Sequence, residues 1–127
     1  MSKKQSLKLE WLKCTSEAKP ELHWCRLEDL ELPLKSKVGG VYVIWHGGAK
    51  PWTVRLGQGD ISSRLAAHRK DSNILAYKKN GTLFVTWAAV QKSDRDGVEA
   101  YLEDSLDPRV GDVFPDADPI PVNLPWR

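Results

Sequence analysis

Three side chains in the middle of this chain have the types and spacing to act on a phosphodiester. Tyr42 stands in Gly40–Trp45, a run dense in β-branched and aromatic residues. Arg64 and His68 follow four residues apart, and positions i and i+4 share one face of a helix. A phenol, a guanidinium and an imidazole aimed at one point could activate a nucleophile and hold phosphoryl oxygens. An arginine fork matches phosphate geometry and keeps its charge at any physiological pH. A phenol titrating near ~10 is a poor base at neutral pH, so Tyr42 would need cations nearby to favour the phenolate. Each residue also has a plain structural reading: a half-buried strand aromatic, a surface arginine paired with Asp60 or Asp71, and a helix histidine.

The elements that must position them follow from local pattern. Val41–Trp45 reads as a strand, Gly47, Gly48 and Pro51 as a loop, and Trp52–Leu56 as a second strand closing an antiparallel hairpin. The glycines after Leu56 read as a turn. Asp60 is an N-cap for a helix running to about Lys70, with Ile61, Leu65 and His68 at helical spacing. Asn80-Gly81 marks a turn before a third strand, Thr82–Val90. Ser93 or Asp94 caps a further helix carrying Val98, Leu102 and Leu106 on one stripe, and Pro108 stops it. The proline-rich tail from Asp112 is expected to lie extended over the core, and residues 1–6 to fray. The order strand, strand, helix, strand, helix predicts a small α/β (α+β) domain: an antiparallel or mixed sheet of about three strands flanked by helices.

Bulk properties narrow the field without naming a function. The chain has 127 residues, 41% hydrophobic and 28% charged, ordinary for one soluble domain. The net charge of +2 is small, but it is unevenly placed. Arg55, Arg64, Arg69, Lys70, Lys78 and Lys79 face only Asp60 and Asp71 in the middle of the chain. Acids dominate from Asp94 to Asp118. The basic middle suits a phosphate backbone, and Arg69, Lys70, Lys78 and Lys79 are candidates for salt-dependent nucleic-acid contact. Gln58 could donate to phosphate. The two cysteines, Cys14 and Cys25, match no zinc spacing and read as reduced thiols or small core residues. No signal-peptide core or membrane span is visible, so the expected location is the cytoplasm. Of the six tryptophans, Trp45, Trp52 and Trp87 fall on strands and are expected in the core, while Trp24 and Trp126 are candidates for base stacking.

These residues resemble the GIY-YIG nuclease family. The first motif stands as Gly40-Val41-Tyr42. The second stands as Arg55-Leu56-Gly57, where the family usually has Tyr-Ile-Gly. Gly57 to His68 looks like its glycine turn and arginine helix, Gly97 to Pro108 like its helix bearing a metal-binding glutamate, and Pro121 to Pro125 like its asparagine segment. The likeness spans about residues 38–124, leaving 1–37 as an extension packed on a nuclease domain at 38–127.

The resemblance implies a metal-dependent DNA endonuclease. Tyr42 would be the general base, Arg64 the phosphate clamp, with His68 beside them and Asn123 bracing the site. Glu99 would hold Mg²⁺ or Mn²⁺, and it fits the family's leucine and proline spacing better than Glu103 does. Arg55 would bind a phosphate, or lower the pKa of Tyr42, or mark a decayed site. An inactive nucleic-acid-binding module and a ribonuclease therefore stay open as alternatives. Target choice would come from loops, from a homodimer or from a partner protein.

Overall fold

A computed structural model describes residues 6–111 and 116–126. Four antiparallel strands, β1 (Cys25–Arg26), β2 (Gly39–His46), β3 (Trp52–Asp60) and β4 (Leu83–Ala89), form one sheet in the order β1-β4-β2-β3. Three α-helices, α1 (Ile61–His68), α2 (Ser72–Leu75) and α3 (Arg95–Leu106), flank it. The fold is mixed α/β, with one strand more than expected. The fourth, β1, pairs Cys25 with Val85 and Arg26 with Phe84. Two residues are too few to show the alternation by which a strand is read.

β2 is central and buried on both sides, so it reads as a continuous apolar run. Alternate residues nevertheless go to opposite faces. Val41, Val43 and Trp45 pack with Leu56, Val98, Leu102 and Ile120 on the α3 face. Tyr42 and Ile44 pack with Val54, Ile61, Leu65 and Ile74 on the α1 face. Residues of the N-terminal segment join both layers, Leu9 the first and Leu27 the second.

β3 runs to Asp60 and does not end at Leu56. Gly57, Gln58, Gly59 and Asp60 pair with Tyr42, Val41, Gly40 and Gly39. The glycines pair within the strand here; Gly57 makes room for the packing described below, and Gly59 takes a positive φ of 127°. Asp60 then caps α1, its carboxylate accepting from Ser63 N at 3.1 Å and Ser63 Oγ at 2.7 Å. A helix of eight residues is too short to persist by itself. It is held by Ile61 and Leu65, both fully buried, each burial contributing about 1.5–3 kcal/mol. Asp94 occupies the N-cap position of α3 but makes no side-chain bond to the first turn. The helix ends where Asp107 turns left-handed, at φ 47°, before Pro108.

Three further expectations change. Cys14 and Cys25 form a disulfide. Their spacing carries no signal, and the fold joins them by pairing Cys14 with His23 and placing Cys25 in β1. Trp52 is 40% exposed, because it opens an edge strand, while Trp45 and Trp87 are buried as expected. Of the tail, Asp112–Pro115 and Arg127 lie outside the described residues, as do residues 1–5. Between 116 and 126 the chain forms no helix and pairs only at Val122, with Leu7. No helix among the described residues is long and apolar enough to cross a membrane.

The cap on α1 has a pH signature. Its hydrogen bonds from Ser63 hold the Asp60 carboxyl below its ordinary value of 3.8. The ionised cap therefore stabilises the fold above that value and is lost as pH falls below it. Asp60→Ala is expected to lower the melting temperature at neutral pH, with the gap to wild type closing in acid. Thermal melts of both proteins across the acid range check this.

Candidate active site

Tyr42 sits in the middle of β2, directly across from Gly57, and is 1% exposed. A β-carbon on Gly57 would lie 2.4 Å from the Tyr42 hydroxyl. Only glycine leaves room for the phenol there. The hydroxyl lies 2.5 Å from His68 Nε2 at the end of α1, and His68 is itself buried.

Arg55 reaches this phenol through a β-bulge. The partner of Ile44 is Arg55 and that of Trp45 is Thr53, so Val54 and Arg55 together oppose one residue of β2. Regular alternation would put Arg55 on the same face as Thr53. The bulge moves it to the face of Ile44 and Tyr42, where it hydrogen-bonds the Tyr42 hydroxyl. An arginine can only donate, so the phenol oxygen accepts from Arg55 and its own proton is left for His68 Nε2. His68 is that acceptor in the tautomer with its ring proton on Nδ1.

Arg64 is exposed and lies across Gly59, its Nε 3.0 Å from where a β-carbon would stand. Gly59 has φ 127°, a conformation side chains rarely adopt. The charges of Arg55 and Arg64 both act on Tyr42 and on Glu99.

Glu99 comes from α3, on the other face of the sheet, and is 8% exposed. The two layers meet at the outer edge of β3, where Gln58 is paired with Val41 and so faces α3. Gln58 Nε2 donates to Asp96 Oδ1 at 2.7 Å and reaches Glu99 Oε2 at 3.5 Å. Glu99, and not Glu103, is the glutamate coupled to the phenol and the arginines. Asp96 was not singled out in the sequence, although its i, i+3 spacing to Glu99 puts the two acids on one helix face.

Burial sets the titration of both buried acids. It raises the Tyr42 phenol above its ordinary 10.0; the charge and hydrogen bond of Arg55 and then the charge of Arg64 pull it back, while Glu99 pushes it up. Burial likewise raises Glu99 above its ordinary 4.5, opposed by the Gln58 hydrogen bond; Asp96 adds to the rise, and Arg55 and Arg64 reduce it.

The donor set fits a hard divalent cation. Mg²⁺ is commonly held by one or two carboxylates, with water and phosphate oxygens completing the shell. Asp96 and Glu99 offer two carboxylates on adjacent turns, and like charges this close favour a cation between them. Among the described residues no group of three or more metal-ligating side chains exists, so any cation here would depend on few protein ligands.

Other expected site residues are engaged elsewhere. The Asn123 carboxamide is used on the backbone of Leu9, accepting from its N at 2.6 Å and donating to its O at 3.0 Å. It ties the tail to the N-terminal segment and does not join the Tyr42 cluster through these bonds. Arg69 donates to Leu30 O at 2.6 Å. Lys78 pairs with Glu28 at 3.1 Å. Lys70 and Lys79 are exposed.

No family model matches the chain, and neither a curated protein nor a solved structure does.

The burial of Tyr42 is directly measurable. Among the three tyrosines, Tyr42 is expected to ionise last in an ultraviolet titration of the native protein, and Tyr42→Phe to delete that late step. Because the folded phenol holds its proton more tightly, the Tyr42 contribution to stability is intact below 10.0 and lost as pH rises above it. The melting temperature of wild type should thus fall faster than that of Tyr42→Phe on the alkaline side.

Proposed function

We propose that this chain is a metal-dependent endonuclease of the GIY-YIG type, acting on DNA phosphodiesters. The observation that carries the reading is the seating of Tyr42 against His68, Arg55 and Gly57, with Arg64 lying across Gly59 and Glu99 reached through Gln58 on the same strand. The succession of the motif-bearing segments along the chain supports it as well.

Arg64, exposed beside Gly59, takes the non-bridging phosphate oxygens. Arg55 is the second phosphate ligand. In the free protein its guanidinium rests on the phenol, and an incoming phosphate competes for it. A guanidinium shared between the phosphate and the phenol keeps positive charge beside the phenol oxygen, which favours the phenolate. His68 takes the phenolic proton through the hydrogen bond already formed, and the phenolate then deprotonates the attacking water. Glu99 and Asp96 would hold the divalent ion, which would supply stabilisation of charge on the departing oxygen. Gln58 orients both carboxylates.

One observation favours a second reading. Tyr42 is 1% exposed with Arg55 bonded to it, and a phenol locked in that state would leave a module that binds nucleic acid without cutting it. Location bears on either case. The cytosol keeps thiols reduced, so a cytoplasmic protein would work with the Cys14–Cys25 pair open.

Nicking of supercoiled plasmid, with Mg²⁺ and with EDTA, separates the readings. Wild type is expected to nick only with the metal. Tyr42→Phe and Arg64→Ala should each lose roughly 10²–10⁴-fold in rate, and Glu99→Ala should abolish the metal response. Binding without nicking by wild type supports the silent module, and nicking that survives in all three variants rules out this site.

A further inference from the structure

A second concave site lies at the far end of the same two elements. Four tryptophans, Trp24, Trp45, Trp52 and Trp126, line a cleft of about 530 Å³ between the start of β3 and the end of α3. The volume is within the range of small-ligand pockets. Its walls are fixed. Trp45 packs edge-on to Trp24 and Trp126 at centroid distances of 5.3 and 5.1 Å. The Trp52 indole donates to Asp107 O at 2.8 Å. Yet Trp52 and Trp126 each stay 40% exposed, so two rigid indoles are offered to solvent inside a hollow.

The charges beside the cleft choose among occupants. The Arg109 guanidinium lies 4.2 Å from the Trp52 ring centroid, and Lys13 Nζ lies 4.6 Å from that of Trp24. Cations already cover these faces, so a quaternary ammonium ligand would meet like charge. A planar ring carrying an anionic group suits both features: the ring packs against the indole surface left open, that of Trp126 above all, and the anion meets Arg109 beside Trp52 at the rim, away from Asp107 in the lining.

From these contacts we infer that the cleft is a stacking site for an unpaired nucleobase, with Arg109 receiving its phosphate. The inference rests on the nuclease reading for its choice of nucleic acid over a smaller anion. The positions agree with one strand reaching both sites. Five residues of β3 separate Trp52 from Gly57, about 17 Å at strand rise. A base held here would place a strand a few nucleotides from the phosphate under Arg64, and the preferred substrate would carry an unpaired segment beside the cut.

The test is a tryptophan-fluorescence titration of the full chain, in EDTA, with a short single-stranded oligodeoxynucleotide and with the same sequence as duplex. Quenching with tighter binding of the single strand is expected. Trp52→Ala and Trp126→Ala, each checked for folding by circular dichroism, should weaken it by about tenfold, the scale of one stacked base. Single-strand binding that is absent, or unchanged in both folded variants, overturns the inference. Quenching by a fatty acid or a trimethyl-lysine peptide with none by the oligonucleotide overturns it too. The titration needs no cleavage, so the two ideas fail separately. Nicking with unaltered single-strand binding in the variants removes the cleft alone, and cleft binding without nicking removes the nuclease alone.

Discussion

The seating of the Tyr42 hydroxyl on Gly57 is the contact that the candidate site depends on. A side chain at position 57 would expel the phenol. With the phenol in place, β3 must stay extended past Gly57 so that the pairing with Tyr42 holds. That fixes where β3 ends, and so where Asp60 can cap α1. Two turns of α1 then carry His68 to the phenol. The bulge at Val54–Arg55 completes the arrangement by turning Arg55 onto the same face. One missing β-carbon thus couples strand register, helix start and the placement of three polar groups.

The site also depends on being at an edge. Tyr42 belongs to the α1 layer and Glu99 to the α3 layer, and an ordinary central strand would keep them apart. β3 is the last strand of the sheet, and Gly57 and Gly59 leave it bare. Charges from the two layers reach one another there. Burial raises the titration of Glu99, and Arg55 and Arg64 moderate the rise. A phosphate and a divalent cation, arriving together, would each take the partner that the other releases.

Much of this was legible in the residues. The strands at β2 and β4, the Asp60 cap and the spacing of Arg64 to His68 are local signals, and local signals survive into the fold. The Val98–Leu102 stripe of α3 was legible as well, and both residues are buried. What escaped notice depends on contacts distant in sequence. β1 is too short to show a pattern, and it exists because β4 offers an edge to pair with. Cys14 and Cys25 meet only because that strand forms. Gly57 and Gly59 read as a turn because glycine usually signals one; the reason for Gly57 lies across the sheet, in Tyr42, and that for Gly59 in its positive φ and in Arg64 on α1. Asn123 kept its motif position, but its amide was taken by Leu9, more than a hundred residues earlier, for which the sequence holds no sign.

The central claim is that Tyr42, Arg64 and Glu99 surround one place where a metal ion and a phosphate sit together. Crystals grown with Mn²⁺ and a short DNA duplex, examined by anomalous scattering, test it most directly. The account predicts a single strong manganese peak against the carboxylates of Glu99 and Asp96, and a phosphate between it and the Arg64 guanidinium. A manganese ion bound elsewhere, or DNA seated away from the Gly57–Gly59 edge, would contradict it.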